Sequence, residues 1–210
     1  MAKIISFSNQ KGGTGKTTLT ANLSVLWSNS GYNVAILDGD SQKSLTYWID
    51  ARKKYYGEND IGLDLIPYNP HSFIEDLNNI KKIYDFIIID SPPLISYETI
   101  QIIKNVDKIF IPVQPSPLDL MATIPFLNLT KKERKIATVI LNRVLPRARL
   151  TDAMILRLRY AGAKIARSRI SSKVIYAETF SVGRGVVDIS VNSVPSKEII
   201  AIGNEILRNF

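Results

Sequence analysis

Phe86-Ile87-Ile88-Ile89-Asp90 is apolar at every position but the last. Successive side chains of a strand point to opposite faces, so this segment needs cover on both sides. Such a strand belongs inside a parallel sheet with helices packed on either face. Short apolar runs recur at Ile4–Ser8, Val34–Leu37, Leu63–Pro67, Lys108–Val113 and Ile136–Leu141, with a brief one at Lys164–Ala166. Helical spacing fills the gaps: Lys16 to Ser30, Ser44 to Tyr55, Pro70 to Lys82, Tyr97 to Asn105, Leu118 to Asn128, Leu150 to Ala161, Ser171 to Phe180, and Ser196 to Asn209 with Ser196 as N-cap. The alternation predicts an α/β chain, a mainly parallel sheet with helices on both faces, in a single domain over 1–210. Ligands of such sheets gather beyond the carboxyl ends of the strands. The loops at 9–18, 38–42, 90–93, 114–117 and Asn142 all fall there by this assignment.

The first of those loops reads Asn9-Gln10-Lys11-Gly12-Gly13-Thr14-Gly15-Lys16-Thr17-Thr18, between a strand and a helix. Glycines let successive backbone N–H groups converge on phosphate oxygens, and the following helix adds its positive end. Lys16 is expected to reach the outer phosphates and the Thr17 hydroxyl to sit on Mg²⁺. The loop departs from the usual G-x-x-x-x-G-K-[ST] pattern: Gln10 replaces the first glycine and Lys11 adds a second cation. One loop does not easily aim both lysines at the same phosphates. Lys11 is therefore expected to act on a nucleotide held by a partner subunit.

Asp90, closing its strand beside such a loop, is placed to hold Mg²⁺ through water. Asp38 and Asp40 flank Gly39 after the second strand. Asp38 suits an indirect link to the metal and Asp40 the orientation of an attacking water. The same pair also suits an Asx-type turn leading into the Ser44 helix.

The absence of cysteine excludes disulfides, thiolate catalysis and cysteine-ligated iron–sulfur or zinc centres. His71 stands alone, without partners for a metal site. Trp27, Trp48, Met121 and Met154 read as packing or interface residues. Met1-Ala2-Lys3 runs straight into a strand pattern, so no secretory signal is expected, and no apolar run approaches the ~18 residues of a membrane span.

The net charge of +8 sits in one segment: Arg143 to Lys173 holds nine basic residues and one acidic, while the rest balances at 18 of each. The segment reads either as a solvated face or as a patch for duplex phosphates, with Arg147, Arg149, Arg157 and Arg159 as the contact candidates.

Lys11 to Thr18 resembles the deviant Walker A motif of the ParA/MinD group of P-loop ATPases. Asp38-Gly39-Asp40-Ser41-Gln42 resembles the group's switch I, and Asp90-Ser91-Pro92-Pro93 its Walker B and switch II. Pro112 to Leu120 also reads like the family, so the resemblance covers essentially the whole chain. It implies the three-layer P-loop NTPase fold and a cytoplasmic, Mg²⁺-dependent ATPase binding ATP and ADP through Lys11, Gly12, Gly13, Thr14, Gly15, Lys16, Thr17 and Thr18. Thr17 is implied as the direct Mg²⁺ ligand, with Asp38 and Asp90 in support. Asp40 is implied as the hydrolytic residue and Asn142 as an adenine contact. It also implies an ATP-bound homodimer in which Lys11 crosses the interface. The ParA branch implies nonspecific double-stranded DNA binding on the nucleoid and hydrolysis stimulated by a ParB-like partner, moving plasmid or chromosome cargo. Two positions depart from the family: Ser41 stands where proline is common and Lys43 where glycine is common. The short N-terminus lacks room for the DNA-reading domain of larger ParA proteins, so sequence-specific autoregulation is not expected. A MinD-like membrane-recruited ATPase is one alternative, but the last helix has only Lys197 and Arg208 as basic residues, so no membrane partner is expected. The other is a nucleotide-gated DNA-binding scaffold with negligible turnover.

Overall fold

The computed structural model describes residues 1–57, 62–145 and 149–210; the side chains of residues 149 and 150 are outside the description. Seven strands form one sheet: β1 (Lys3–Phe7), β2 (Val34–Asp38), β3 (Leu63–Ile66), β4 (Phe86–Asp90), β5 (Lys108–Val113), β6 (Ala137–Leu141) and β7 (Lys164–Ile165). Their spatial order is β3-β2-β4-β1-β5-β6-β7. Among the described residues every strand pairing is parallel.

Among the described residues, eight helices cover it. Helices α1 (Lys16–Asn29), α2 (Ser44–Tyr56), α7 (Ile175–Ser181) and α8 (Val194–Leu207) lie on one face with a 3₁₀ turn at Val186–Asp188. Helices α3 (Phe73–Ile80), α4 (Tyr97–Asn105), α5 (Pro117–Lys132) and α6 (Arg149–Tyr160) lie on the other. The central strand feeds both cores. Phe86 and Ile88 join the α1 side, Ile87 and Ile89 the α4 side, and all four are fully buried. Trp27 of α1 stacks on Phe86 with ring centres 4.3 Å apart, fixing α1 across β4.

Several boundaries differ from the sequence expectation. β1 is shifted one residue toward the N-terminus. The third helix starts at Phe73 rather than Pro70, because a turn occupies 70–72. Ile74 of that helix is exposed, not on the buried face. Ser171 to Val174 is not helical; Ser171 makes an isolated parallel bridge to Val144, and α7 begins at Ile175. The last helix is capped by Ser193, whose hydroxyl accepts from Ser196 N, so Ser196 lies inside the first turn. Pro195 sits in that turn, where its missing N–H costs nothing. Trp27, Trp48 and Met154 are buried as expected, whereas Met121 is 69% exposed.

Candidate functional site

The sheet order brings the acidic strand ends together. Asp38 and Asp90 are register partners on β2 and β4, and Asp90 is also opposite Phe7, where β1 enters the glycine-rich loop. The loop is held from both sides. Asn9 donates through Nδ2 to Pro112 O (2.8 Å) and accepts from Lys11 N (3.1 Å). Gln114 Nε2 donates to Gly13 O (2.8 Å), and Asn142 Nδ2 to Thr14 O (2.6 Å). Gly15 precedes α1 with φ +104°, and a Cβ there would lie 2.0 Å from Asn142 Nδ2, so no other residue fits without displacing that amide. Asn142 thus supports the loop. Its carbonyl accepts from Arg143 N at 2.9 Å.

Lys16 is buried beneath the loop. Burial pulls its ammonium below the ordinary lysine range, and Asp90 and Asp40 oppose that shift. The Thr17 hydroxyl donates to Asp90 Oδ2 at 2.6 Å. Asp90 Oδ1 is buried without a partner. Complete burial pushes the Asp90 carboxyl from 3.8 up to about 7; Thr17 and Lys16 pull it down, and Asp38 and Asp40 push it up. A buried carboxylate oxygen without a donor is costly unless something occupies the space before it. Thr17 and Asp90 therefore fit a hard, oxygen-seeking cation such as Mg²⁺. No cluster of three or more His or acidic residues suited to a metal exists among the described residues, so a cation here takes most of its ligands from water and phosphate.

Asp38 and Asp40 have different partners. Both Asp38 oxygens are engaged: Oδ1 accepts from Asp40 N (3.2 Å), and Oδ2 from Thr46 N (3.1 Å) and Thr46 Oγ1 (3.2 Å). Asp40 Oδ1 accepts from Gln42 N at 3.0 Å. The Asx-type turn therefore exists in this structure, beside the nucleotide loop.

Lys11 points away from Lys16's carboxylates. Its Nζ donates to Asp119 Oδ2 at 2.5 Å, and Asp119 is buried at the start of α5. Sequence reasoning missed Asp119, Gln114, Asn9 and Thr46 as site residues. Asp119 carried one readable sign: it stands three residues after the cap Ser116, whose Oγ accepts from Asp119 N and donates to Asp119 Oδ2.

A cavity of about 270 Å³ opens beside α1, lined by Thr18, Leu19, Asn142, Ser171, Tyr176 and neighbours. Its size and its place next to the loop suit a nucleobase. Of the basic candidates, Arg157 and Arg159 are exposed on α6. They are two residues apart, about 200° around the helix, so they do not share one face. Arg147 lies outside the described residues, as does the Arg149 side chain. Arg167 and Arg169 are also exposed, in the segment following edge strand β7.

A parallel α/β sheet with a glycine-rich loop at its central carboxyl edge, a buried lysine and a Thr–Asp cation pair defines a P-loop nucleotide-binding protein. More narrowly, the chain belongs to the CobQ/CobB/MinD/ParA nucleotide binding domain family, whose profile matches residues 5–184. It is 29% identical over 211 residues to maintenance of carboxysome distribution protein A of Halothiobacillus neapolitanus, covering 97% of this chain and 95% of that one. Its fold is similar to a putative plasmid partition protein of Borrelia burgdorferi bound to AMPPNP (TM-score 0.75, 20% identity, 100% of both chains). It is also similar to the septum site-determining protein MinD of Pyrococcus horikoshii complexed with Mg-ADP (TM-score 0.77, 22% identity, 98% and 96% of the two chains). No helix is long and apolar enough to cross a membrane among the described residues.

Proposed function

We propose that the chain is a ParA-like ATPase that positions a plasmid or chromosome. It does so by switching between an ATP-bound homodimer that grips duplex DNA and a released ADP form. The observation that carries the nucleotide chemistry is the Lys16–Thr17–Asp90 cluster, with its orphaned buried Asp90 oxygen. Thr17 and Asp90 would hold Mg²⁺, which when bound supplies positive charge to the outer phosphates. Lys16 binds those phosphates from beneath the loop. Asp38 props the switch segment through Thr46 and Asp40 N. Asp40 leaves its Asx turn, accepts a hydrogen bond from the attacking water and orients it. Lys11 leaves Asp119 and completes the partner's site. Phosphoryl transfer is governed by positioning and charge, so a lysine delivered in trans couples turnover to association.

The DNA reading is supported by a charge excess confined to 143–173, whose described members Arg143, Arg157, Arg159, Lys164, Arg167, Arg169 and Lys173 are all exposed. A ParB-like partner would stimulate hydrolysis and release the dimer. The near full-length similarity to a carboxysome distribution protein favours a second reading with the same cycle and a protein assembly as cargo.

The test is ATP hydrolysis and duplex-DNA binding by wild type, Lys16→Ala and Asp40→Ala across a salt series. Wild type should turn over ATP with Mg²⁺ and bind duplex more tightly with ATP than with ADP. Lys16→Ala should lose nucleotide, and Asp40→Ala should keep nucleotide and DNA but stop hydrolysing. Neutralising Arg157, Arg159, Arg167 and Arg169 together should weaken DNA binding and flatten its salt dependence. DNA affinity blind to nucleotide and to those arginines would refute the partition reading.

A further inference from the structure

We infer that Lys43 is a positioning residue that restrains the Asp38–Asp40 segment and slows unstimulated hydrolysis. Lys43 carries φ +53°, a left-handed conformation that residues with a β-carbon avoid. Such strain persists only where the surroundings hold it. Two contacts hold it here. The Lys43 backbone N–H donates to Asp40 O at 3.0 Å. Its side chain turns back along the chain, and Nζ donates to Asp38 O at 3.0 Å. Lys43 therefore grips the Asp-Gly-Asp segment at the carbonyls of both aspartates, one through the main chain and one through an ammonium.

This grip closes a small ring. Asp40 N is bound to Asp38 Oδ1, Gln42 N to Asp40 Oδ1, and Thr46 N to Asp38 Oδ2. Within the ring Asp40 spends one carboxylate oxygen on its own turn, and to orient a water it must give that bond up. Gly39 ties the segment to β4: its N–H donates to Asp90 O at 2.9 Å. The segment thus has a tied arrangement and a released one, and the exposed Lys43 ammonium biases the tied one. A glycine at 43 would adopt the same backbone without strain and without the ammonium. The lysine accepts that strain, and its return is the bond to Asp38 O. The inference rests on Asp40 being the hydrolytic residue.

Lys43→Met keeps length and removes charge; Lys43→Arg keeps charge. Amide hydrogen exchange of the nucleotide-free full chain reads the ring directly, and steady-state ATP hydrolysis reads its consequence. Lys43→Met should speed exchange at Asp40, Gln42 and Thr46 by about tenfold, the loss of one charge-assisted hydrogen bond. It should raise kcat about threefold to tenfold with KM for ATP within about twofold, because the ring is tied before and after nucleotide binds. Lys43→Arg should match wild type in both. Unchanged exchange in Lys43→Met, a kcat equal to or below wild type, or an arginine variant behaving like methionine would overturn the inference. Absence of turnover in wild type itself would refute the hydrolytic reading instead, and the exchange rates then decide by themselves whether Lys43 ties the ring.

Discussion

Asp119→Asn tests whether Lys11 is held in reserve for another subunit. Asp119 is 1% exposed and its Oδ2 accepts from Lys11 Nζ and the Ser116 hydroxyl, both at 2.5 Å, while the Lys11 side chain is 37% exposed. The pair lies between a surface bridge, worth up to ~1 kcal/mol, and a buried one, whose breakage costs about 3–5 kcal/mol, so about 2 kcal/mol is a fair figure. Asparagine keeps a neutral acceptor of roughly half the strength, so the substitution removes about 1 kcal/mol per subunit. Two consequences follow, with opposite signs. The monomer loses that energy outright, and its Tm should fall by roughly 2–4 °C in a chain of this size. The proposed dimer should gain, because on the reserve reading each lysine leaves Asp119 before it crosses the interface. Two subunits released from that cost together tighten the dimer by about 2 kcal/mol, or roughly 30-fold in Kd. Sedimentation with a non-hydrolysable ATP analogue measures the Kd, and Lys11→Ala in the same background should cancel the gain. A Kd unchanged or weakened alongside the lower Tm would refute the reserve and leave Asp119 a structural anchor of α5.

Asp90 and the Arg52 cluster yield two further outcomes. Burial lifts the Asp90 carboxyl from 3.8 to about 7, so between those values the folded chain retains a proton the unfolded chain has released, and nucleotide-free stability falls as pH rises, by at most about 4 kcal/mol. Thermal melts should show that decline flattened in Asp90→Asn; an equally steep decline would place the proton elsewhere. Arg52 Nη1 donates to Asp188 Oδ2 at 2.8 Å with both side chains buried, and Asp188 also accepts from Asn29 Nδ2 and Gly185 N, so Asp188→Ala should cost about 3–5 kcal/mol. Gly183→Ala strikes the same place, since its φ is +71° and the new Cβ would lie 2.0 Å from Arg52 N; a Tm loss under about 2 °C in either variant would contradict this account.

The sheet was legible because its strands are apolar on both faces. Phe86 to Ile89 had no amphipathic alternative, and the helices between such strands had one place to go. The weaker elements misled where local chemistry competed. Ser193 and Ser196 are both cap residue types and Pro195 fits either choice; the hydroxyl of Ser193, which accepts from Ser196 N, starts the helix one turn earlier than spacing alone suggests. Ser171 to Val174 has helical spacing but is drawn into a bridge with Val144, a long-range pairing that spacing does not encode. In the site, Lys16 and Thr17 stood out within the glycine-rich loop and Asp90 at the end of an apolar strand, and the structure brings Thr17 and Asp90 into contact. Asp119, Gln114 and Asn142 act through contacts 101 to 128 residues distant, and a single sequence does not show such partners.

The two lysines of the loop show what the structure adds to that reading. Only four residues separate them, yet they answer to different carboxylates: Lys16 lies buried near Asp90 and Asp40, and Lys11 is bound to Asp119 at the head of α5. A lysine serving its own subunit's nucleotide gains nothing from a buried carboxylate that holds it elsewhere, since that bond must be broken at every binding event. A lysine serving another subunit does gain. On that reading Asp119 would keep Lys11 from its own subunit's phosphates, where a second cation would bind nucleotide without any signal that a partner has arrived. For such a reserve to work, the bond would have to be weak enough for association to break and strong enough to hold a solitary chain, which the Asp119→Asn comparison measures. On this argument the loop's affinity for nucleotide and its role in assembly are separable, Lys16 carrying the first and the Lys11–Asp119 pair setting the threshold for the second.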